Sequence, residues 1–355
     1  MMLLFDPDPP FVRWCSFGKG TSEEHTQTFT PESYRNEFEN MKSNEAKAIG
    51  YLLYHGGEEI TEPMKLLSQD SLHKIENCVR FLPERNEMTL RIAQYWMREL
   101  PEIPHVLFCD TALFADLPAE TSTYAIPYIL RAEGIRRYGG DGLCHQWAWE
   151  QINTRKTRLH NRIISIHLGD HTNIAASNDG KAVETSIGFT PIEGIVSSNG
   201  CGDIDTAIVL QLVSAGMSLA EINQSLSGEG GFAGLLGRQS GLADILQTNE
   251  DPNTDFVRDL FCYQAKKYIG AFISVLGGVD AIVFVCDYVV ESNELIEETC
   301  RSLDFLRLKT RKKPKLQDGY WIFSENNSEV DVFCFKYDKL NILKRKLINL
   351  TTKES

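Results

Sequence analysis

Three short apolar runs, each stopped abruptly by a loop of Pro, Gly or Asp, constrain this chain most. Met1–Phe5 ends in Asp-Pro-Asp-Pro-Pro, Ala48–Tyr54 runs into His-Gly-Gly-Glu at 55–58, and His105–Cys109 runs into Cys-Asp-Thr-Ala at 109–112. Runs this short and this uniformly apolar read as strands buried on both faces. The three prolines after the first run remove ladder donors and force a tight turn. Apolar residues at helical spacing follow over Met88–Leu100 and again over Asp255–Leu276. Strands alternating with helices make an α/β protein, in which ligands gather at the loops beyond the strand ends. Ile163–His167, Thr172–Ser177 and Lys181–Glu184, with Asn178-Asp179-Gly180 between the last two, read as a β-meander with a hairpin turn and place a second domain after the first.

The chain has 355 residues, 42% of them hydrophobic, enough for two cores. Its formal charge of −13 disfavours nucleic acid and anionic membrane as partners, because both are bound by neutralising phosphates. A small molecule or a protein fits better. Nine cysteines without paired spacing predict free thiols and a cytoplasmic location. No export signal and no membrane span are expected, since Met1–Cys15 lacks a basic region followed by a long apolar stretch and no run reaches the length of a span. The basic run Arg307–Lys315 reads as a solvated face and is assigned no partner.

The stretch His167–Val209 contains HLGDHTN, TSIGFTPIEG and NGCGDIDT. These segments resemble the H-L-G-x-G-x-S, T-S-M-G-F-T-P-L-E-G and T-R-C-G-D-I-D-P motifs of the acetate kinases. CDTALFADLP at 109–118 is similar to F-D-T-A-F-H-Q-T-M-P, and YAIPYILRAEGIRRYGGDGLCH is similar to the family segment that ends in F-H-G-T-S-H. Tyr263–Phe284 resembles the helix and strand before the family's adenosine loop. The resemblance implies two ribonuclease H-like domains of the acetate and sugar kinase/Hsp70/actin superfamily around a central cleft. The expected division is residues 1–112 with 339–355, and residues 113–338, the latter forming a homodimer. It also implies phosphoryl transfer from ATP to a short-chain carboxylate, with magnesium.

The reactive positions depart from the family. The arginine of H-R-V-V-H-G-G-E is Leu52, that of T-R-C-G-D-I-D is Gly200, and the histidine of F-H-G-T-S-H is Asp141. Phosphoryl transfer needs cations and donors where charge gathers, so these changes should cost rate directly. Asp110 matches the family's magnesium-linked aspartate, with Asp6 and Asp338 as companion ligands; helix capping is the plain alternative for Asp110 and Asp203. In the first loop only Asp6 and Arg13 keep chemistry comparable to the family's. Arg85 replaces the histidine of L-H-N-P and either supplies charge toward a carboxylate or phosphate or forms a surface pair with Glu84. His145, with His55 and His167, is either catalytic or a hydrogen-bonded structural imidazole. On the nucleotide side stand His167, Gly169, Asp170, Asp244 and Asp287, and around the acyl group Tyr54, Glu84, Gly140 and Pro191. The expectation is a divergent acetate kinase-like protein with ordinary activity absent or very weak, using ATP and magnesium if active, or else a non-catalytic paralogue with another ligand or a protein partner. Arg136, Arg137 and Arg238 are the remaining candidates for a compensating cation.

Overall fold

The computed structural model describes residues 1–18, 21–28, 46–155, 159–246, 251–286 and 291–353. The chain divides into two compact units, Met1–Ala115 with Asp338–Ser355, and Asp116–Tyr337.

In the first unit β1 (Met2–Asp8), β2 (Phe11–Gly18) and β3 (Thr21–Thr28) form an antiparallel meander. β4 (Ile49–Leu53) joins β1 in parallel and β6 (His105–Cys109) joins β4 in parallel, while β5 (Met64–Leu66) closes that edge antiparallel. Every residue of β4 and β6 is buried, as expected of strands covered on both faces. Phe5 packs on Trp96 of helix Pro83–Glu99, their ring centroids 6.1 Å apart. The Gly50 position faces Leu4 and Leu347 of helix Lys339–Lys353. Because side chains alternate along a strand, Leu4 and Phe5 assign those two helices to opposite faces.

The second unit repeats this plan. β7 (Arg162–Leu168), β8 (Asn173–Asn178) and β9 (Lys181–Thr185) form the meander. β10 (Ala281–Cys286) pairs with β7 and β13 (Asp331–Lys336) with β10, both in parallel. β12 (Tyr320–Ser324) and β11 (Thr310–Gln317) extend the sheet antiparallel, giving the order β11-β12-β13-β10-β7-β8-β9. The shared core order, a meander whose first strand continues into two parallel strands, is ribonuclease H-like in both units. Asp179 and Gly180 have φ of 50° and 79° in the two-residue turn between β8 and β9, which is the backbone an Asp-Gly hairpin favours.

Both long helices begin earlier than apolar spacing predicts, at Pro83 and Pro252 rather than Met88 and Asp255. Proline suits a first helical position, and Asp251 caps the second helix by accepting from Asn253 N–H. A polar first turn carries no apolar period, so the pattern missed it. The basic run falls largely on β11, an exposed sheet edge where lysines and Pro314 discourage further pairing. All nine cysteines are free thiols, and all but Cys201 are buried. Among the described residues no helix is long and apolar enough to cross a membrane.

The His-Gly-Gly loop after β4 leaves no room for a side chain. A Cβ at Gly56 would lie 2.2 Å from the Ile60 carbonyl oxygen and 2.5 Å from Cys109 Sγ. Gly56→Ala is expected to lower stability by about 1–3 kcal/mol through overpacking, read as a lower urea midpoint with an unchanged slope.

Candidate functional site

The first unit gathers charged side chains beyond the ends of β1 and β4. The β1–β2 register places Asp6 opposite Arg13. Asp6 is 0% exposed; its Oδ2 accepts from Arg13 Nη2 at 2.8 Å and its Oδ1 from the Tyr54 hydroxyl at 2.7 Å. Burial and then the Asp6 charge push the Tyr54 phenol well above its ordinary range, so it remains a donor. Lys339 Nζ donates to the same hydroxyl at 3.1 Å, and the Arg85 guanidinium lies 4.2 Å from the Tyr54 ring centroid. Arg85 is held at 2.9 Å by Asp8, on the strand end before the Pro9-Pro10 turn. The surface pair with Glu84 is therefore not formed: Glu84 is exposed in the first helical turn, while Arg85 turns toward the hairpin. For Arg13, burial opposes the charge, but Asp6, Tyr54 and Asp8 outweigh it and its affinity for the proton rises.

Asp110 is buried directly after β6, and its N–H donates to the Leu53 carbonyl at 2.9 Å. It does not cap the following short turn, whose N-cap position is Thr111. Asp338 accepts from Asn341 N at 2.9 Å and from Asn341 Nδ2 at 2.7 Å, at the start of helix Lys339–Lys353. Leu52 is wholly buried in β4. His55 stacks on Phe81 at 4.7 Å and its Nδ1 accepts from Gly57 N–H, a structural arrangement.

In the second unit a polar chain links β7, β8 and the helix Gly142–Asn153. His145 Nδ1 meets Ser165 Oγ at 2.7 Å and its Nε2 meets Asn173 Oδ1. Asn173 Nδ2 donates to Asp141 Oδ2, which also lies 3.2 Å from His167 Nδ1. Asp141 has φ of 52°, a left-handed conformation that Asp tolerates better than most residues. Burial lowers the His145 pKa to about 4, so at neutral pH it is an uncharged imidazole fixed between two partners.

Beyond β7, the Gly169 position abuts the His167 ring, where a Cβ would lie 3.2 Å from Nε2. Asp170 Oδ1 accepts from Ser198 Oγ at 2.9 Å. Asp244 accepts from Arg238 at 2.8 Å and from Gly241 N–H at 2.9 Å, contacts that lower its pKa. Asp287 falls outside the described residues. Gly140 is buried against Ile187, and Pro191 is exposed. Gly200 N–H donates to Ser197 Oγ at 3.2 Å. Asp203 is not a helix cap: it accepts from Gly194 N–H and from the Tyr268 hydroxyl, while Asp205 caps helix Thr206–Ser214. The candidate compensating arginines are engaged, Arg137 with Glu184 at 3.1 Å and with the Thr185 carbonyl, Arg238 with Asp244, and Arg136 against the Tyr138 ring at 5.5 Å.

A divalent cation needs carboxylate oxygens with free lone pairs. Each oxygen of Asp6 and of Asp338 already accepts one donor, so a cation there would have to compete with Arg13, Tyr54 or Asn341. Among the described residues no three His, Cys, Asp or Glu side chains form a metal-holding group. Asp6, Asp110 and Asp338 are thus not gathered into a magnesium-holding group. The roles of Asp8, Lys339, Ser165 and Asn173 were missed in the sequence; only Asp8 had a readable signal, since a turn at 9–10 places 8 and 6 opposite 11 and 13.

A family-wide sequence model, that of the acetokinase family, matches residues 20–343. The acetate kinase of Coprothermobacter proteolyticus is 34% identical over 299 residues, 82% of this chain and 74% of that protein. That of Carboxydothermus hydrogenoformans is 31% identical over 318 residues, 86% and 78% of the two. Among solved structures, Porphyromonas gingivalis acetate kinase superposes with a TM-score of 0.85 at 24% identity over 99% of each chain. Acetate kinase from Entamoeba histolytica gives 0.84 at 20% identity over 97% of this chain and 98% of that one. The fold is that of these acetate kinases.

Two outcomes follow from this geometry. Arg13→Gln strips the ionic partner from buried Asp6 and is expected to cost on the order of 1–3 kcal/mol in urea unfolding, whereas Arg13→Lys costs less. His145 has a folded-state pKa below its unfolded value, so the unfolded chain takes up the proton first as pH falls. Its contribution is intact above about pH 6.5 and is lost progressively toward pH 4, on the order of 3 kcal/mol in all. His145→Asn should remove that part of the pH slope, measured by unfolding at a series of pH values.

Proposed function

The chain belongs to the acetokinase family, and from that premise we propose that it is a divergent acetate kinase-like protein in which the family reaction, ATP plus a short-chain carboxylate to acyl phosphate plus ADP, runs very slowly with acetate or not at all. One observation carries this reading: four candidate arginines among the described residues, Arg13, Arg85, Arg137 and Arg238, are bound to the chain's own carboxylates. Arg13 and Arg85 hold Asp6 and Asp8, Arg137 holds Glu184, and Arg238 holds Asp244. The positions that resemble the family's two arginines and its histidine carry Leu52, Gly200 and Asp141, and Asp141 brings negative charge beside His167. Loss of one preorganised donor costs about two to three orders of magnitude in rate, and such losses are not multiplied.

The same observation favours, as the second reading, a non-catalytic paralogue whose ligand is another small molecule or a protein. The formal charge of −13 disfavours nucleic acid and anionic membrane as partners. A homodimer through the second unit is part of the proposal. Helix Thr206–Ser214 has no buried residue, yet it carries Ile208, Leu210 and Val213 at 46%, 67% and 48% exposure. An apolar face of that kind is ordinarily covered by a partner.

Acetyl phosphate formation is expected to lie at least about two orders of magnitude below that of the Coprothermobacter proteolyticus enzyme assayed in parallel, and to rise in Gly200→Arg/Asp141→His. Wild-type turnover at a comparable rate would overturn the reading. Leu52→Arg is left out of that variant because it would bury a guanidinium in the core. For the dimer, Leu210→Glu should leave the circular dichroism unchanged and shift sedimentation toward monomer.

A further inference from the structure

The donors around Asp6 already do what a divalent cation would do for a carboxylate in that place. Asp6 has no solvent exposure, and each of its two oxygens accepts one short bond, from the Arg13 guanidinium at 2.8 Å and from the Tyr54 hydroxyl at 2.7 Å. The guanidinium is delivered by hairpin register: Asp6 and Arg13 are direct cross-strand partners on β1 and β2, so the pair forms whenever the hairpin forms. The hydroxyl is held in turn by Lys339 at 3.1 Å, and its ring rests against Arg85, which Asp8 tethers at 2.9 Å. Three cations and two carboxylates therefore surround Tyr54. An incoming divalent ion would have to displace the guanidinium and approach against the remaining positive charge, and it would find no unengaged oxygen on Asp6.

We propose that Arg13 is a built-in cation that takes the place of a divalent metal beside the first-strand carboxylate. The expectation of a metal here rests on the family reading above, but the proposal does not depend on turnover, so its failure and the failure of that reading are separately visible. The first unit carries a carboxylate near the end of β1 and neutralises it with its own side chain.

The test is manganese binding by the full chain after treatment with chelator, read by electron paramagnetic resonance. Wild type and Asp6→Asn are expected to give the same manganese titration. A weakening of wild-type manganese affinity by Asp6→Asn would overturn the proposal. The double variant Arg13→Gln/Tyr54→Phe, checked for folding by circular dichroism, releases both oxygens. It is expected to bind manganese at least about tenfold more tightly than wild type, a tenfold change being about 1.4 kcal/mol, and to lose that gain when Asp6→Asn is added. A folded double variant with no gain would equally overturn it. Should the double variant not fold, the comparison of wild type with Asp6→Asn still decides the matter.

Discussion

A carboxylate with no exposure to water, near the end of the first strand, is costly to leave without partners. Asp6 has its partners in Arg13 and Tyr54, and the elements around it are arranged accordingly. The hairpin holds Arg13 in register, β4 ends where Tyr54 can reach inward, and helix Lys339–Lys353 brings Lys339 to the tyrosine from the far end of the chain. A buried pair of this kind is weak as a net source of stability but costly to break, because either partner left alone is a buried charge. The geometry is for this reason tightly determined even though its net energetic gain is small.

The second unit solves a similar problem with mostly neutral groups. His145 is kept uncharged by burial and is held at both ring nitrogens, and the polar chain it begins passes through Asn173 to Asp141 and His167. Such a network is rigid only when each member is satisfied, and here the asparagine serves as donor on one side and acceptor on the other. The carboxylate at 141 thus has a structural place beside His167 and Asn173, independent of any reaction. Within each unit these polar groups bind one another, which is the physical content of the proposal that acetate turnover is poor.

Much of this was legible in particular residues. The apolar runs at 48–54 and 105–109 are strands because nothing polar interrupts them, and the Asp-Gly turn at 179–180 is a hairpin because both positions adopt positive φ. Motif resemblance located the fold and the altered positions. The assignment of Asp203 as a cap failed because two carboxylates lie within three residues of each other, and only the chain path decides that Asp205 meets the helix start. Glu84 was the wrong partner for Arg85 for the same reason: adjacent helical residues do not face each other, whereas Asp8, 77 positions away in sequence, does.

By itself the sequence determined the α/β alternation, the family and the absence of arginine at 52 and 200, because these depend on local periodicity and residue identity. Only the tertiary structure decided how the remaining charges are shared. Tyr54 reaches Asp6 across the sheet, Lys339 arrives from a helix at the other end of the chain, and Asn173 bridges His145 to Asp141 between a strand and a helix. Such contacts are set by how packed elements approach in space, and no spacing along the chain encodes them.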